Sequence, residues 1–467
     1  MMKSVPDGPR GFLFDPNRCT GCSACVLACS TENELGWGTS WRQVVPFNET
    51  RRSGVPAFHL SLACNHCDEA PCVEQCPAVA IRRDATTGAV LIHEDHCIGC
   101  GYCGWVCPYD APQFDKARSV MAKCTLCNHR LVEGLAPACV ESCPTDALGF
   151  GAPRGEQALP GFPDTPALPR IRFAALRRDA KPPESTWDLP KEVLTAYEAA
   201  RATPGPRRLS LRAELPLWLF TSGAAGLVGW VMASAVGGVE IPVSLFGILA
   251  LATMAVSTLH LGRKLRAWRA IMNVRRSRLS REVVTYGAFV GSAVLWLAVF
   301  PGLALVGGMV AALGLLALFT MDRVYDPVRP PHEGVAHSAD VLLTGPLVAA
   351  AVLRSPVAFG VIAVLKAFLF ARRSRRKRTR SRREVSLSVL RVGVGLALPP
   401  LLWMLWPELP SGAGLLMVGI AELADRAAFY RGLEVSTPRS VAEREAAAWM
   451  TDEASDLSRT SGVLPIR

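Results

Sequence analysis

All sixteen cysteines of this 467-residue chain lie between Cys19 and Cys143, in four groups of four. The groups are Cys19/Cys22/Cys25/Cys29, Cys64/Cys67/Cys72/Cys76, Cys97/Cys100/Cys103/Cys107 and Cys124/Cys127/Cys139/Cys143. The first and third read C-x2-C-x2-C-x3-C, and the last three each close on a cysteine followed by proline, at Pro77, Pro108 and Pro144. Thiolates at this spacing hold cubane iron–sulfur clusters, three from one run gripping one cubane while the fourth ligates its neighbour. Two such pairs of runs offer places for four [4Fe-4S] clusters, which is a wire for electrons.

Two other uses of cysteine at this density fit less well. Disulfide-dense domains are small and secreted, and no signal peptide is read ahead of Cys19. Zinc ribbons use C-x2-C pairs separated by longer gaps, not four-cysteine runs with a proline behind them. The second group widens one gap to four residues, Asp68 to Pro71, and the fourth widens one to eleven, Asn128 to Ala138. Both read as loop insertions between ligands.

The elements that must carry this wire fall into unlike parts. Beyond Cys143 there is no cysteine, half of the chain is hydrophobic (50%), and charges crowd into short runs with long apolar stretches between them. That is a membrane composition. The formal net charge of +11 does not mark a nucleic-acid partner, because the basic residues cluster between apolar spans. Residues 1–150 read as the cluster domain, 151–210 as a Pro-rich linker with a short helix near Lys191–Ala202, 211–434 as a membrane anchor, and 435–467 as a polar tail with an amphipathic helix at Val441–Met450.

Within the anchor the candidate spans are Leu215–Val236, Ile241–Leu261, Val283–Pro301, Leu303–Met321, Asp340–Leu353, Val357–Phe370, Leu387–Trp406 and Ala413–Tyr430. A spanning helix needs about 20 apolar residues. The fifth and sixth are short, so a hairpin or re-entrant pair is an alternative there, and six or seven spans is the alternative count. The loop after span two carries Arg263, Lys264, Arg266, Arg269, Arg275, Arg276, Arg278 and Arg281, and the loop after span six runs basic from Arg372 to Arg383. The loops after spans one, three, five and seven have almost no lysine or arginine. Basic short loops mark the cytoplasmic side, so the expected location is the bacterial inner membrane, multi-pass, with the cluster domain in the cytoplasm. The counter-reading is export of that domain alongside a partner that carries a signal.

His260 is the only histidine in an apolar span, while His332 and His337 sit in a loop. Without two suitably placed histidines, no b-type haem is expected. An ionisable residue at the end of a span is a functional candidate, and histidine accepts a proton near neutral pH. Glu422 and Arg426 stand four apart in the last span, the spacing of a structural ion pair on a helix.

With these features together, the chain resembles two known proteins joined into one. Residues 11–150 resemble the four-cluster electron-transfer subunit of the dimethyl sulfoxide reductase family of molybdoenzymes, through CTGCSACVLAC, LACNHCDEAPCVEQCP, HCIGCGYCGWVCPYDAPQF and KCTLCNHRLVEGLAPACVESCPTDAL. Residues 214–434 resemble that family's haem-free membrane anchor, through ELPLWLFT, STLHLGRKLRAWRA with SRLSREV following, and AELADRAAFY. The resemblance implies an α+β ferredoxin-like N-terminal domain of two pseudo-symmetric dicluster halves, followed by an all-α polytopic domain of about eight transmembrane helices.

It also implies the ligand sets. One cluster takes Cys19, Cys22, Cys25 and Cys143, and its neighbour takes Cys124, Cys127, Cys139 and Cys29. In the other half Cys64, Cys67, Cys72 and Cys107 form one cluster, and Cys97, Cys100, Cys103 and Cys76 the next. Nitrate-reductase relatives place tryptophan at the position of Cys100 and hold a three-iron cluster; cysteine here implies four cubanes. Cys29 departs from the pattern, being followed by Ser30 and not by proline, but that proline is not a ligand. The second pair is expected toward the quinone and the first toward the catalytic partner.

The family's quinol site looks similar to His260 and the residues after it. By that resemblance His260 accepts a proton from the quinol hydroxyl, Arg266 is its electrostatic or hydrogen-bonding partner and Glu282 relays the proton. The plainer readings are an interfacial histidine, a positive-inside arginine, and an acid well placed in the first turn of span three. The expected function is to oxidise menaquinol or ubiquinol and pass electrons to a separate molybdopterin-containing catalytic subunit, without net charge movement. The rival readings are the same wire reversed, from a dehydrogenase partner such as formate dehydrogenase to quinone, and a redox-sensing or assembly scaffold without quinone chemistry.

Overall fold

The computed structural model describes residues 10–36, 39–48, 56–152, 155, 158–177, 207–208, 210–329, 337–375, 390–406, 408, 411–435 and 437–446. They divide into two compact units, Met1–Arg207 with Val435–Arg467, and Arg208–Glu434. The helix read near Lys191–Ala202 and the basic run beyond Arg375 lie outside the described residues.

In the first unit, short strands alternate with short helices. The order is β1 (Gly11–Phe14), α1 (Ala24–Glu32), β2 (Gln43–Phe47), β3 (Phe58–Leu62), α2 (Pro71–Glu74), β4 (Ile81–Arg83), β5 (Val90–Ile92), α3 (Tyr102–Trp105), β6 (Gln113–Asp115), β7 (Val120–Ala122), α4 (Asn128–Val132), α5 (Ala138–Glu141), β8 (Leu148–Gly151) and β9 (Ile171–Phe173). β2–β3, β4–β5 and β6–β7 are antiparallel ladders, while β1 pairs antiparallel with β8 and parallel with β9. The first strand thus holds the last two, closing the unit on itself.

Proline sets the helix lengths. A residue before proline is pushed out of the helical region, so α2, α3 and α5 each stop within one turn, ahead of Cys76-Pro77, Cys107-Pro108 and Cys143-Pro144. Cys29 precedes Ser30, and α1 runs through it for 9 residues to Glu32. The departure noted in the first group therefore lengthens a helix and leaves the cysteine in place.

The linker and tail are not purely connecting. Part of the stretch read as linker is folded: β9 joins the sheet, and Arg170 binds Asp68 at 2.7 Å. The tail forms a helix over 438–446, within which Val441 and Ala442 are buried. The Gly161 N–H donates to the Glu445 carboxylate, and a Cβ on Gly161 would come within 3.1 Å of Ala442 Cβ. The tail helix is thus packed on the unit that contains the clusters' cysteines.

Each apolar run of the second unit forms a helix: α6 (Leu215–Gly237), α7 (Val243–Thr258), α8 (Arg278–Val299), α9 (Ala304–Val324), α10 (Val341–Val352), α11 (Pro356–Arg375), α12 (a π-helical Leu390–Ala397 running into Leu398–Leu405) and α13 (Ser411–Gly432). By length and composition, α6, α8 and the stretch from Ala304 to Val328 are long and apolar enough to cross a membrane, and α7, α10 and 391–405 are shorter apolar helices. Phe220, Val228, Phe246, Phe289, Trp296 and Met321 form the core of the first four helices. Small residues let backbones approach, as in membrane helix packing: a Cβ on Gly229 of α6 would stand 2.6 Å from the Gly345 carbonyl oxygen of α10.

Candidate functional site

The four cysteine loops share one backbone feature. The residue before the second cysteine is left-handed in each: Gly21 (φ 75°), His66 (φ 45°), Gly99 (φ 68°) and Leu126 (φ 61°). Glycine adopts this conformation freely, whereas a side chain there costs about 1–2 kcal/mol. The turn points main-chain N–H groups at sulfur: Gly99 N–H donates to Cys97 Sγ at 3.4 Å and Leu126 N–H to Cys124 Sγ at 3.4 Å. Ala80 N–H likewise donates to Cys76 Sγ at 3.2 Å. Such donors favour the thiolate form that iron needs.

Thiols from different groups meet. A single cavity is lined by Cys64, Cys67, Cys72 and Cys107, three from the second group and one from the third. Burial, then the neighbouring Cys76 and Cys97, pushes the Cys100 thiol up to about 12. Burial, then Cys139 and Cys127, does the same for Cys29, also to about 12. Cys19 is raised by burial and by Cys25, Cys143 and Cys22 around it. In every case the fourth thiol arrives from another loop.

The first cavity fits a cluster on further grounds. His66, 1% exposed, accepts the Val90 N–H at Nδ1 (2.9 Å), so its proton sits on Nε2. That Nε2 and both amide atoms of Asn65 are buried in the cavity lining without a hydrogen-bond partner. A buried donor without an acceptor is costly, and a cluster sulfur is an acceptor of the right kind for this place.

In the anchor, His260 follows the end of α7, half-buried, with its Nδ1–H donating to the Ser257 carbonyl. This leaves the Nε2 lone pair as the basic position. Arg266 lies in a 3-10 segment, Lys264–Ile271, and Glu282 is buried one turn inside α8, 5% exposed. Thr253 of α7 and Tyr286 of α8 share a 2.7 Å hydrogen bond. Glu282 lies one turn from Tyr286, toward the same end of the helix pair as Ser257 and His260. No hydrogen bond or ion pair joins His260 to Glu282 among the described residues.

Helix α13 corrects one expectation. Glu422 does not pair with Arg426: it binds Lys366 Nζ at 2.7 Å and accepts from Thr344 Oγ1 at 2.5 Å. Arg426 ion-pairs instead with Asp322 at 3.5 Å and donates to the Ala339 carbonyl at 3.0 Å and to Thr221 Oγ1 at 3.2 Å. Asp322 also accepts the Val341 and Leu342 N–H groups, each at 3.0 Å, capping the start of α10. Arg329 holds Asp340 at 2.6 Å, and Arg391 pairs with Asp425. Sequence reasoning passed over Asp322 and Lys366; the signal was present, since each is an ionisable residue inside an apolar run. Their partners Arg426 and Glu422 were visible too, but the pairing across helices had no signal.

Residues 55–153 match the family of 4Fe-4S dicluster domains, and residues 214–370 match the anchor subunit family of dimethyl sulfoxide reductase. The chain is 43% identical over 149 residues to YnfG of Escherichia coli (strain K12), a probable anaerobic dimethyl sulfoxide reductase component, covering 30% of this chain and 72% of that protein. It is 42% identical over 149 residues to a component of the anaerobic dimethyl sulfoxide reductase of the same organism, with the same two coverages, 30% and 72%. It is also 37% identical over 161 residues to a component of the sulfite dehydrogenase of Allochromatium vinosum, covering 30% of this chain and 67% of that protein. The four cysteine groups and the apolar helices behind them have one identity: the chain thus belongs to the dimethyl sulfoxide reductase iron–sulfur subunit family, with an anchor-subunit domain of the same system fused to it.

Proposed function

We propose that this chain oxidises a quinol at the membrane, carries the electrons through four [4Fe-4S] clusters and delivers them to a separate molybdopterin-containing catalytic subunit. The observation that carries this reading is the exchange of cysteines between groups, most plainly Cys107 joining Cys64, Cys67 and Cys72 around one cavity. The ligand sets are Cys19/Cys22/Cys25/Cys143, Cys29/Cys124/Cys127/Cys139, Cys64/Cys67/Cys72/Cys107 and Cys76/Cys97/Cys100/Cys103. Clusters bound there store and pass single electrons. The protein's own residues supply thiolates, N–H donors to sulfur and burial from water.

At the anchor, His260 takes a quinol proton on Nε2 while Ser257 holds the ring through Nδ1. Glu282 takes the proton onward, and Arg266 orients the quinol oxygen. Eight crossings of the bacterial inner membrane agree with the tail helix, because segments on both sides of the anchor, within 11–173 and 438–446, belong to one packed unit and an even number of crossings returns the chain to it. The basic loops favour the cytoplasm for that unit. With protons released and consumed on one face, turnover moves no net charge.

Reduction of the clusters by a menaquinol analogue in native membranes tests the reading. His260→Ala is expected to slow it at least about 100-fold, the scale of a lost general base, with iron content unchanged. Unaltered reduction in that variant would move the site elsewhere or favour a scaffold role. The sulfite dehydrogenase relative favours a second reading, the same wire carrying electrons toward quinone. Uniformly low cluster potentials in a redox titration would select that direction.

A further inference from the structure

Arg42 and Lys123 are the buried cations of the first unit, 1% and 3% exposed among the described residues. The Arg42 guanidinium lies over the Phe12 ring at 4.5 Å, and its Nη1 donates to the Ser61 carbonyl at 3.2 Å and to Ser61 Oγ at 3.0 Å. Its Nε and Nη2 have no oxygen or nitrogen acceptor. Cys139, Cys124, Cys25 and Cys29 lie within its electrostatic reach, and the Ser61 Oγ it holds is 3.3 Å from Cys25 Sγ. Lys123 Nζ donates to the Val90 carbonyl and to the Cys124 carbonyl, and it faces Cys64, Cys72 and Cys124.

No acid is among the fully buried residues of this unit, Asp110 being partly buried with one carboxylate oxygen enclosed, and no described carboxylate forms an ion pair with either cation. Removing a charge from water without a counter-charge costs several kcal/mol. Arg83 and Arg170, two further cations beside these loops, are partly buried and already engaged: Arg83 donates to the carbonyls of His66, Cys67, Asp68 and Gly88, and Arg170 pairs with Asp68. The counter-charge within reach of Arg42 and Lys123 is therefore the thiolate-bound clusters, whose net negative charge grows by one on reduction.

We propose that Lys123 and Arg42 set the reduction potentials at two successive junctions of the wire and make the Cys29/Cys124/Cys127/Cys139 cluster the most easily reduced of the four. The proposal rests on the ligand sets given above. Lys123 stands between that cluster and the Cys64/Cys67/Cys72/Cys107 cluster, and Arg42 between it and the Cys19/Cys22/Cys25/Cys143 cluster. It is flanked by both cations, and its neighbours by one each. The Cys76/Cys97/Cys100/Cys103 cluster faces no buried cation among the described residues. A fixed positive charge favours the more negative, reduced form, so potential rises from the far end of the second pair toward this central site. Both are positioning residues and carry no electron themselves.

Redox titration of the full chain in membranes, followed by electron paramagnetic resonance, tests this. Arg42→Gln and Lys123→Gln should each lower the highest potential by at least about tenfold in the reduction equilibrium, or ~59 mV for one electron. Arg42→Lys and Lys123→Arg should restore it, and iron per chain should stay constant. An unmoved highest potential in both glutamine variants, with four signals intact, overturns the proposal. Should the glutamine variants lose iron, serine exchange of Cys22, Cys67, Cys100 and Cys127, one per set, still decides. The highest-potential signal must respond to the Cys127 exchange, and a response to another exchange instead overturns the proposal. Fewer than four signals in the unaltered chain refutes the ligand sets themselves, a distinguishable failure.

Discussion

The two units bury charge in opposite ways. In the anchor each buried cation faces an acid: Lys366 with Glu422, Arg391 with Asp425, Arg426 with Asp322, and the nearly enclosed Arg329 with Asp340. In the first unit Arg42 and Lys123 are as deeply enclosed and face cysteines. Pairs that close within the fold fasten helices to one another; cations that do not close point to a charge the polypeptide alone does not supply. The same bookkeeping leaves one acid over in the anchor. Glu282 is buried without an ion pair among the described residues, which suits the proton relay proposed for it.

The comparison breaks most visibly at a ligand. Cys107→Ala removes one thiol from the cavity it shares with Cys64, Cys67 and Cys72, leaving Lys123 beside a diminished counter-charge. Loss of one cluster signal and of quinol-driven electron delivery is expected, read by iron analysis and electron paramagnetic resonance. An intact signal set would remove Cys107 from the ligands. Next in size, Asp322→Asn strands Arg426 and weakens the cap of α10, at a cost of about 3–5 kcal/mol. Thermal unfolding in detergent reads this loss, and adding Arg426→Met should recover much of it; no recovery would mean that the cap matters more than the pair.

Glu282→Gln sharpens the contrast from the other side. With no ion pair to lose it should shift stability by only about 0.5 kcal/mol, the range of a mild substitution, while quinol oxidation falls steeply. A loss of stability on the scale of Asp322→Asn would show that Glu282 is structural. The smallest effect is expected at the surface of the first unit, where Glu32 binds His129 at 2.8 Å and Arg130 at 3.1 Å. The His129 hydrogen bond holds the Glu32 carboxyl below its ordinary range. Its stabilisation is therefore full above the ordinary carboxylate range and is lost as pH falls through the depressed value. Glu32→Gln should cost under about 1 kcal/mol and flatten that acid-side loss. An unchanged pH profile of unfolding would assign the effect to another acid.

The cysteine spacing and the apolar runs were legible because both are local patterns: ligands a few residues apart, and helices long enough to show as hydropathy. Among the described residues eight helices stand where the apolar runs stand, with ends shifted by a few residues, as at Ile241–Leu261, where the helix spans Val243–Thr258. The misjudged features depend on distance in sequence. Glu422 and Arg426 sit one turn apart, so a local rule pairs them, yet Lys366 and Asp322 on other helices take them instead. The boundary at residue 151 came from proline content, which cannot report that β9 returns to pair with β1.

By itself the sequence determined that sixteen thiols in four repeated runs precede a chain of apolar helices, since cysteine spacing and hydropathy are written residue by residue. Only the tertiary structure decided which thiols meet across loops, which acid neutralises which cation, and that Arg42 and Lys123 face cysteines rather than carboxylates. Coulomb interaction and burial depend on separation in space, and the chain crosses tens to hundreds of residues to make those separations short.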